Sequence, residues 1–245
     1  MAVLLQYNLA TDFDPSTVAD GVTGSTLTNQ SLSAFTQGTA GYASDAVFAA
    51  NPTSGATSAS LAISNNSYFF FSITPVAGKQ ISLTSLTINL ARGGAATPRG
   101  YDIRSSADDF ATTLGTADLS TQRPNWTAVS IDLSGAAFQS LTSTVTFKVF
   151  IYAPATTNSV DGDDLIINGT VTDAGTFTQE GFRFRNDDGS ETTATWIEDQ
   201  DVEITAEANT NIRLRVLVDT SGDTPDTTYQ LESSPNEDET WGIVQ

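Results

Sequence analysis

The chain has 245 residues and a formal net charge of −19, from 29 acidic and 10 basic side chains, with no cysteine and no histidine. Without those two residue types there is no Ser-His-Asp triad, no cysteine nucleophile, no zinc finger and no disulfide framework, so carboxylates are the only catalytic groups left in quantity. Phosphate binding needs clustered lysine or arginine, so nucleic acid is not an expected partner, and no stretch approaches the roughly 18 apolar residues of a membrane span.

Along the chain, apolar and polar residues alternate with period 2 in Val3-Leu5-Tyr7-Leu9, Leu61-Ile63, Phe69-Phe71-Ile73, Leu86-Ile88-Leu90, Tyr101-Ile103, Val129-Ile131-Leu133, Val145-Phe147-Val149-Ile151 and Leu165-Ile167. Each run is bounded by Gly, Ser, Asn, Asp or Pro clusters that read as turns. Ala136–Leu141 is the single helical candidate, a turn or two bridging strands. Eight antiparallel strands over 1–172 predict an all-β, antiparallel jelly-roll β-sandwich. On two of these strands the second face is also apolar (Phe150 and Tyr152; Tyr68 and Phe70), so it is covered by loops or by a neighbouring subunit.

The remainder, 173–245, repeats the alternation on a smaller scale in Phe182-Phe184, Val202-Ile204-Ala206, Ile212-Leu214-Val216-Val218, Tyr229-Leu231 and Trp241-Ile243. This predicts a second, small β-sandwich domain or curled sheet of five or six strands, with Arg183, Arg185, Arg213 and Arg215 on the face away from its core, where acids on adjoining strands pair with them. A domain of that size without staples is marginal alone. Composition places the boundary: 1–172 holds six basic and twelve acidic residues, 173–245 four and seventeen, and every Glu lies at or after position 180. Residues 171–175, VTDAG, form the polar join.

The acids gather in Asp108-Asp109, Asp161 to Asp164, Asp187-Asp188 and Glu237 to Glu239, all read as solvated turns. A glycosidase needs two carboxylates on facing strand positions, which this pattern does not offer, and no enzymatic activity is expected. Calcium is the better use. Asp12 and Asp14 follow the first strand, and Asp161, Asp163 and Asp164 precede the last; in a jelly roll these strands are neighbours, which brings hard oxygen ligands together. The spacing is not that of an EF-hand, and Asp-Gly is equally a turn signal, so no metal or other cofactor is assigned. Trp126, Trp196 and Trp241 are candidate sugar-stacking platforms, Asn125-Trp126 with Tyr101 in particular, against the ordinary role of a core tryptophan.

The runs Tyr101–Phe110, Leu141–Tyr152 and Leu165–Val171 resemble the jelly-roll module of bacterial secreted and surface proteins of the PEP-CTERM type. Those proteins carry a signal peptide, whereas Met1–Leu9 has neither the basic nor the apolar region of one. Phe182–Glu191 and Ala194–Trp196 are similar to a module of tailed-bacteriophage structural proteins and bacterial surface proteins. The resemblance implies a structural virion protein, a capsid decoration or cement protein on the capsid exterior. Its partners would be the major capsid protein and, as a homotrimer, two further copies of itself, with the acidic 173–245 region projecting outward. The alternative is a carbohydrate-binding or adhesin module on a phage tail or fibre or a bacterial surface, with a glycan as partner.

Overall fold

A computed structural model describes residues 2–9, 12–38, 47–207, 209–222, 232–233 and 242–243. Two compact units are present, Met1–Ala174 and Gly175–Gln245. In the first, the strands are β1 (Ala2–Tyr7), β2 (Thr17–Val18), β3 (Val22–Gly24), β4 (Thr28–Gln30), β5 (Ala34–Gly38), β6 (Val47–Asn51), β7 (Tyr68–Pro75), β8 (Lys79–Arg92), β9 (Gly100–Ser105), β10 (Gly115–Asp118), β11 (Thr127–Asp132), β12 (Val145–Tyr152) and β13 (Val160–Asp173), with helix α1 at Ala59–Ser64.

One sheet runs β11-β8-β13-β1-β2, with β6 also on β13 and β5 on β6; the other runs β10-β9-β12-β7-β3, with β4 also on β7. Strands β2 to β6 all belong to the long β1–β7 connection. Apart from them, every connection crosses between sheets except the β9–β10 hairpin, giving β1-β13-β8-β11 over β7-β12-β9-β10. That order is a jelly roll, and the unit is an all-antiparallel β-sandwich.

Period-2 alternation produces the core directly. Phe69, Phe71 and Ile73 of β7 and Val145, Phe147, Val149 and Ile151 of β12 point inward against Leu86, Ile88 and Leu90 of β8, all of them buried. Phe71 stacks on Phe147 at 5.4 Å between ring centroids. Each such side chain contributes on the order of 1.5–3 kcal/mol by leaving water.

Two elements depart from the sequence expectation. Leu61-Ile63 is not a strand but the middle of α1, whose start is capped by the Ser58 hydroxyl accepting from the Leu61 amide at 3.4 Å. The helix buries Ala62 against Phe150 and Tyr152, with Tyr68 packed alongside. It therefore supplies the cover for the second apolar face of β12, and no subunit contact is needed there. The other departure is Asp161 to Asp164, which open β13 instead of forming a turn, with Asp161 and Asp163 buried. The candidate at Ala136–Leu141 forms a 3₁₀ turn over Ala136–Phe138, and Phe138 reaches the core.

In the second unit β14 (Thr176–Asn186) pairs antiparallel with β15 (Ile212–Ser221), and β16 (Glu232–Ser233) with β17 (Gly242–Ile243). Val202–Ala206 is irregular chain, not a strand. Alternation does not suffice there: Val202 is exposed, and among the described residues no strand pairs with it to bury one face. Tyr229, Leu231 and Trp241 lie outside the described residues. In the β14–β15 register Phe182 faces Val216, Phe184 faces Leu214, Arg183 faces Arg215 and Arg185 faces Arg213. The ribbon thus has an apolar face and an arginine face, as the alternation predicted. No helix among the described residues is long and apolar enough to cross a membrane.

Candidate functional site

The aspartates considered for calcium do come from neighbouring strands, since Gln6 of β1 pairs with Ile166 of β13. Their side chains, however, take protein partners. Asp164 accepts from Gln6 Nε2 at 2.9 Å, Asp163 from the Asp164 amide at 2.7 Å, Asp12 from the Asp14 amide at 3.0 Å, and Asp14 from the Thr26 hydroxyl. Among the described residues no three acidic side chains are grouped as metal ligands. Adding EDTA is accordingly expected to leave the melting temperature unchanged in a thermal-shift assay.

Asp161 has a different role. It sits at one end of the sandwich with its side chain fully buried and Arg123 Nε 2.6 Å from Oδ2. The contact with Arg123 is a charge pair rather than an aligned hydrogen bond. Burial pushes the carboxyl above its ordinary value, while the Ser159 hydroxyl, Arg123 and Arg99 pull it back. Arg99, itself buried, donates to the Ala96 carbonyl at 2.8 Å and the Ser159 carbonyl at 2.6 Å. Arg92 donates to the carbonyls of Ala95 and Ser120. Three of the four arginines of the first unit thereby tie loops 93–99 and 119–124 to the start of β13. Arg92 and Arg99 donate to backbone carbonyls and Arg123 pairs with the Asp161 carboxylate, so the cluster acts as a structural knot.

The expected sugar patch at Asn125-Trp126 with Tyr101 does not form. Tyr101 points into the core at 7% exposure, on β9 of one sheet, whereas Trp126 is half-buried ahead of β11 on the other. Trp241 lies outside the described residues. Trp196, at 40% exposure, is the exposed indole among those described.

Its surroundings are built from β14 outward. Segment 195–201 runs along the β14 edge opposite β15, through Asn186 N to Thr195 O at 3.0 Å, Ile197 N to Phe184 O at 3.1 Å and Asp201 N to Phe182 O at 2.9 Å. Asp188 anchors its start by accepting from the Thr195 amide at 2.9 Å and hydroxyl at 2.5 Å, which holds the Asp188 carboxyl below the usual range. Trp196 then bridges to Arg185, so its ring rises on the arginine face. There the guanidinium carbons of Arg183 and Arg185 lie 4.3 and 4.4 Å from the indole centroid, within cation–π range.

These two arginines are not equivalent. Arg185 is buried and donates to the carbonyls of Glu191 and Ala194. Arg183 donates to the Glu198 carbonyl at 2.7 Å and meets Asp199 at 3.1 Å. Across the ribbon, Arg213 pairs with Asp187 and Arg215 with Glu191. The acids that balance the arginines therefore come from the loop after β14, not from adjoining strands as the sequence suggested. Between Arg183, Trp196, Gln200, Arg215 and Leu217 lies an open cleft of about 440 Å³, to which Phe182 and Val216 also contribute.

The described residues that line this cleft are Phe182, Arg183, Trp196, Gln200, Arg215, Val216 and Leu217. They offer an aromatic face, guanidinium donors and the Gln200 amide, which is equipment for binding. Sequence reasoning named Trp196 and the four arginines separately. The signal that joins them is the Arg-x-Arg spacing on β14, which puts both guanidiniums on one face.

No family model matches the chain, and no curated protein is significantly similar to it. Among solved structures it is similar to the cleaved adhesin domain of Lys-gingipain from Porphyromonas gingivalis, at 17% identity over 53% of this chain and 76% of that one, with a TM-score of 0.35. It is also similar to a family 35 carbohydrate-binding module from an environmental isolate, at 14% identity over 63% of this chain and 93% of that one, with a TM-score of 0.38.

Proposed function

We propose that the protein is a non-catalytic glycan-binding protein of adhesin type, in which a jelly-roll sandwich is joined to a second unit that holds the sugar. The observation that carries this reading is Trp196, exposed and backed by two guanidiniums in an open cleft. A flat indole face packs against the apolar C–H face of a pyranose ring, while Gln200 and the arginines supply donors for its hydroxyls. Cation–π contacts hold the ring in place before the ligand arrives, which lowers the ordering cost of binding.

A glycan array followed by titration calorimetry tests it. The full chain is expected to bind a defined set of sugars, and Trp196→Ala to weaken the best of them at least about tenfold, as expected of a buried aromatic anchor. An array on which no sugar binds, or a folded Trp196→Ala protein with unchanged affinity, overturns the reading.

The virion decoration reading is supported by one other observation. On the opposite face of the β14–β15 ribbon, Ile212, Leu214, Val216 and Val218 are 37%, 39%, 45% and 48% exposed. A contiguous apolar stripe of that kind suits a protein that functions inside an assembly. A capsid-bound trimer would cover it.

A further inference from the structure

We infer that the ligand of the Trp196 cleft is a glycan end carrying a single acidic group, a carboxylate or a sulfate, which docks on Arg215 in place of Glu191. This rests on the glycan reading of the same cleft and names what that reading leaves open.

The four arginines of the ribbon are unevenly satisfied. Their register sets Arg183 directly opposite Arg215 and Arg185 directly opposite Arg213, an arrangement of like charges that destabilises a ribbon unless anions balance it. Arg185 donates through both terminal nitrogens to backbone carbonyls and lies against the indole. Arg213 is gripped through both Nε and an Nη by Asp187, and both side chains of that pair are about one-third exposed. Among the described residues Arg215 is held by Glu191, through one nitrogen at 3.1 Å, with side-chain exposures of 51% and 76%. Arg183 meets Asp199 at the same distance, and that aspartate is 94% exposed. The two guanidiniums that line the cleft are thus the two with loosely held, solvent-exposed counter-ions.

Exposed single-contact pairs of this kind contribute little and are readily exchanged. An incoming carboxylate or sulfate forms the two-pronged contact with Arg215 that Glu191 does not, while the sugar ring lies on Trp196. Glu191 therefore acts as an internal stand-in for the ligand's acid.

The charge of the chain restricts the ligand further. Residues 173–245 carry seventeen acids against four bases, all four bases being these arginines. A polyanionic chain lying across that surface is repelled beyond the cleft, since charges within a Debye length of roughly 8 Å at physiological salt remain unscreened. One terminal acid group fits inside the region where the arginines dominate.

The test uses the full chain and three disaccharides that differ only at the terminal sugar: glucuronate, glucose and glucose 6-sulfate. Calorimetry is expected to show at least one acidic form bound about tenfold more tightly than the glucoside, the gain of one charge-assisted two-pronged contact. The carboxylate and sulfate arms identify which acid is preferred. Arg215→Gln should weaken the acidic ligand about tenfold more than the neutral one, and Glu191→Gln should tighten the acidic ligand about threefold by removing the competitor. Equal binding of acidic and neutral forms, or a loss in Arg215→Gln that is the same for both, overturns the inference while leaving the glycan reading in place. If none of the three binds but the array finds other, neutral sugars, the inference also fails. Absence of binding to any sugar removes the glycan reading itself.

Discussion

Asp161→Ala is expected to destabilise the first unit by about 3–5 kcal/mol in a urea titration, because it removes the anion around which Arg99 and Arg123 are organised and leaves a buried guanidinium without a counter-charge. The Asp161 side chain is fully buried and Arg99 is 3% exposed, so the cost falls on the Arg99 charge, while Arg123, one-third exposed, is left to water. Asp161→Asn should cost clearly less. It keeps the shape and an acceptor for Arg123, and it relieves the burial penalty that pushes the carboxyl up. The sign of the pH effect follows. A carboxyl that titrates above its unfolded value of 3.8 binds its proton more tightly in the folded state, so its contribution to stability declines as pH rises from there through the folded value. The Asn variant lacks that slope, and the difference in stability between the two proteins should narrow as pH rises across the window. If alanine and asparagine are equally mild, the arginines are satisfied by backbone alone and the carboxylate is dispensable.

Why the sequence disclosed the jelly roll but misread this aspartate is a matter of range. Strands such as β7, β8 and β12 announce themselves locally, because one face of a sandwich strand must be apolar at every second residue, and Phe69-Phe71-Ile73 or Val145-Phe147-Val149-Ile151 satisfy that without reference to anything else. Asp161-Gly162-Asp163-Asp164 carries the local composition of a turn. It stays in a strand because arginines from two other loops neutralise Asp161, and because Gly162 lets a distant ring approach. Leu61-Ile63 was ambiguous for the opposite reason: three residues satisfy a strand or a helix pattern equally, and Ser58 at the N-cap decided it. In the cleft, the alternation of Arg183 and Arg185 fixed their shared face, but only the edge pairing of segment 195–201 reveals that Trp196, and not Trp126, is the ring both guanidiniums meet.

Gly162 is where the packing of the sandwich can be tested as a pair. It lies on β13 between Phe48 of β6 and Leu90 of β8, and a Cβ there would overlap the Phe48 ring. That ring has little room to retreat: it is fully buried, 4.6 Å from the Phe69 ring and 5.4 Å from that of Phe35. Gly162→Ala should therefore cost about 1–3 kcal/mol through overpacking, and Phe48→Ala about 3–5 kcal/mol through the cavity it leaves. Combined, the two should cost less than their sum, with a coupling of about 0.5–3 kcal/mol, since the new methyl enters space the ring has vacated. Urea titrations of the four proteins measure that coupling. Strict additivity would mean that the Phe48 ring moves aside freely, and that the glycine is there for the backbone of β13 rather than for the ring.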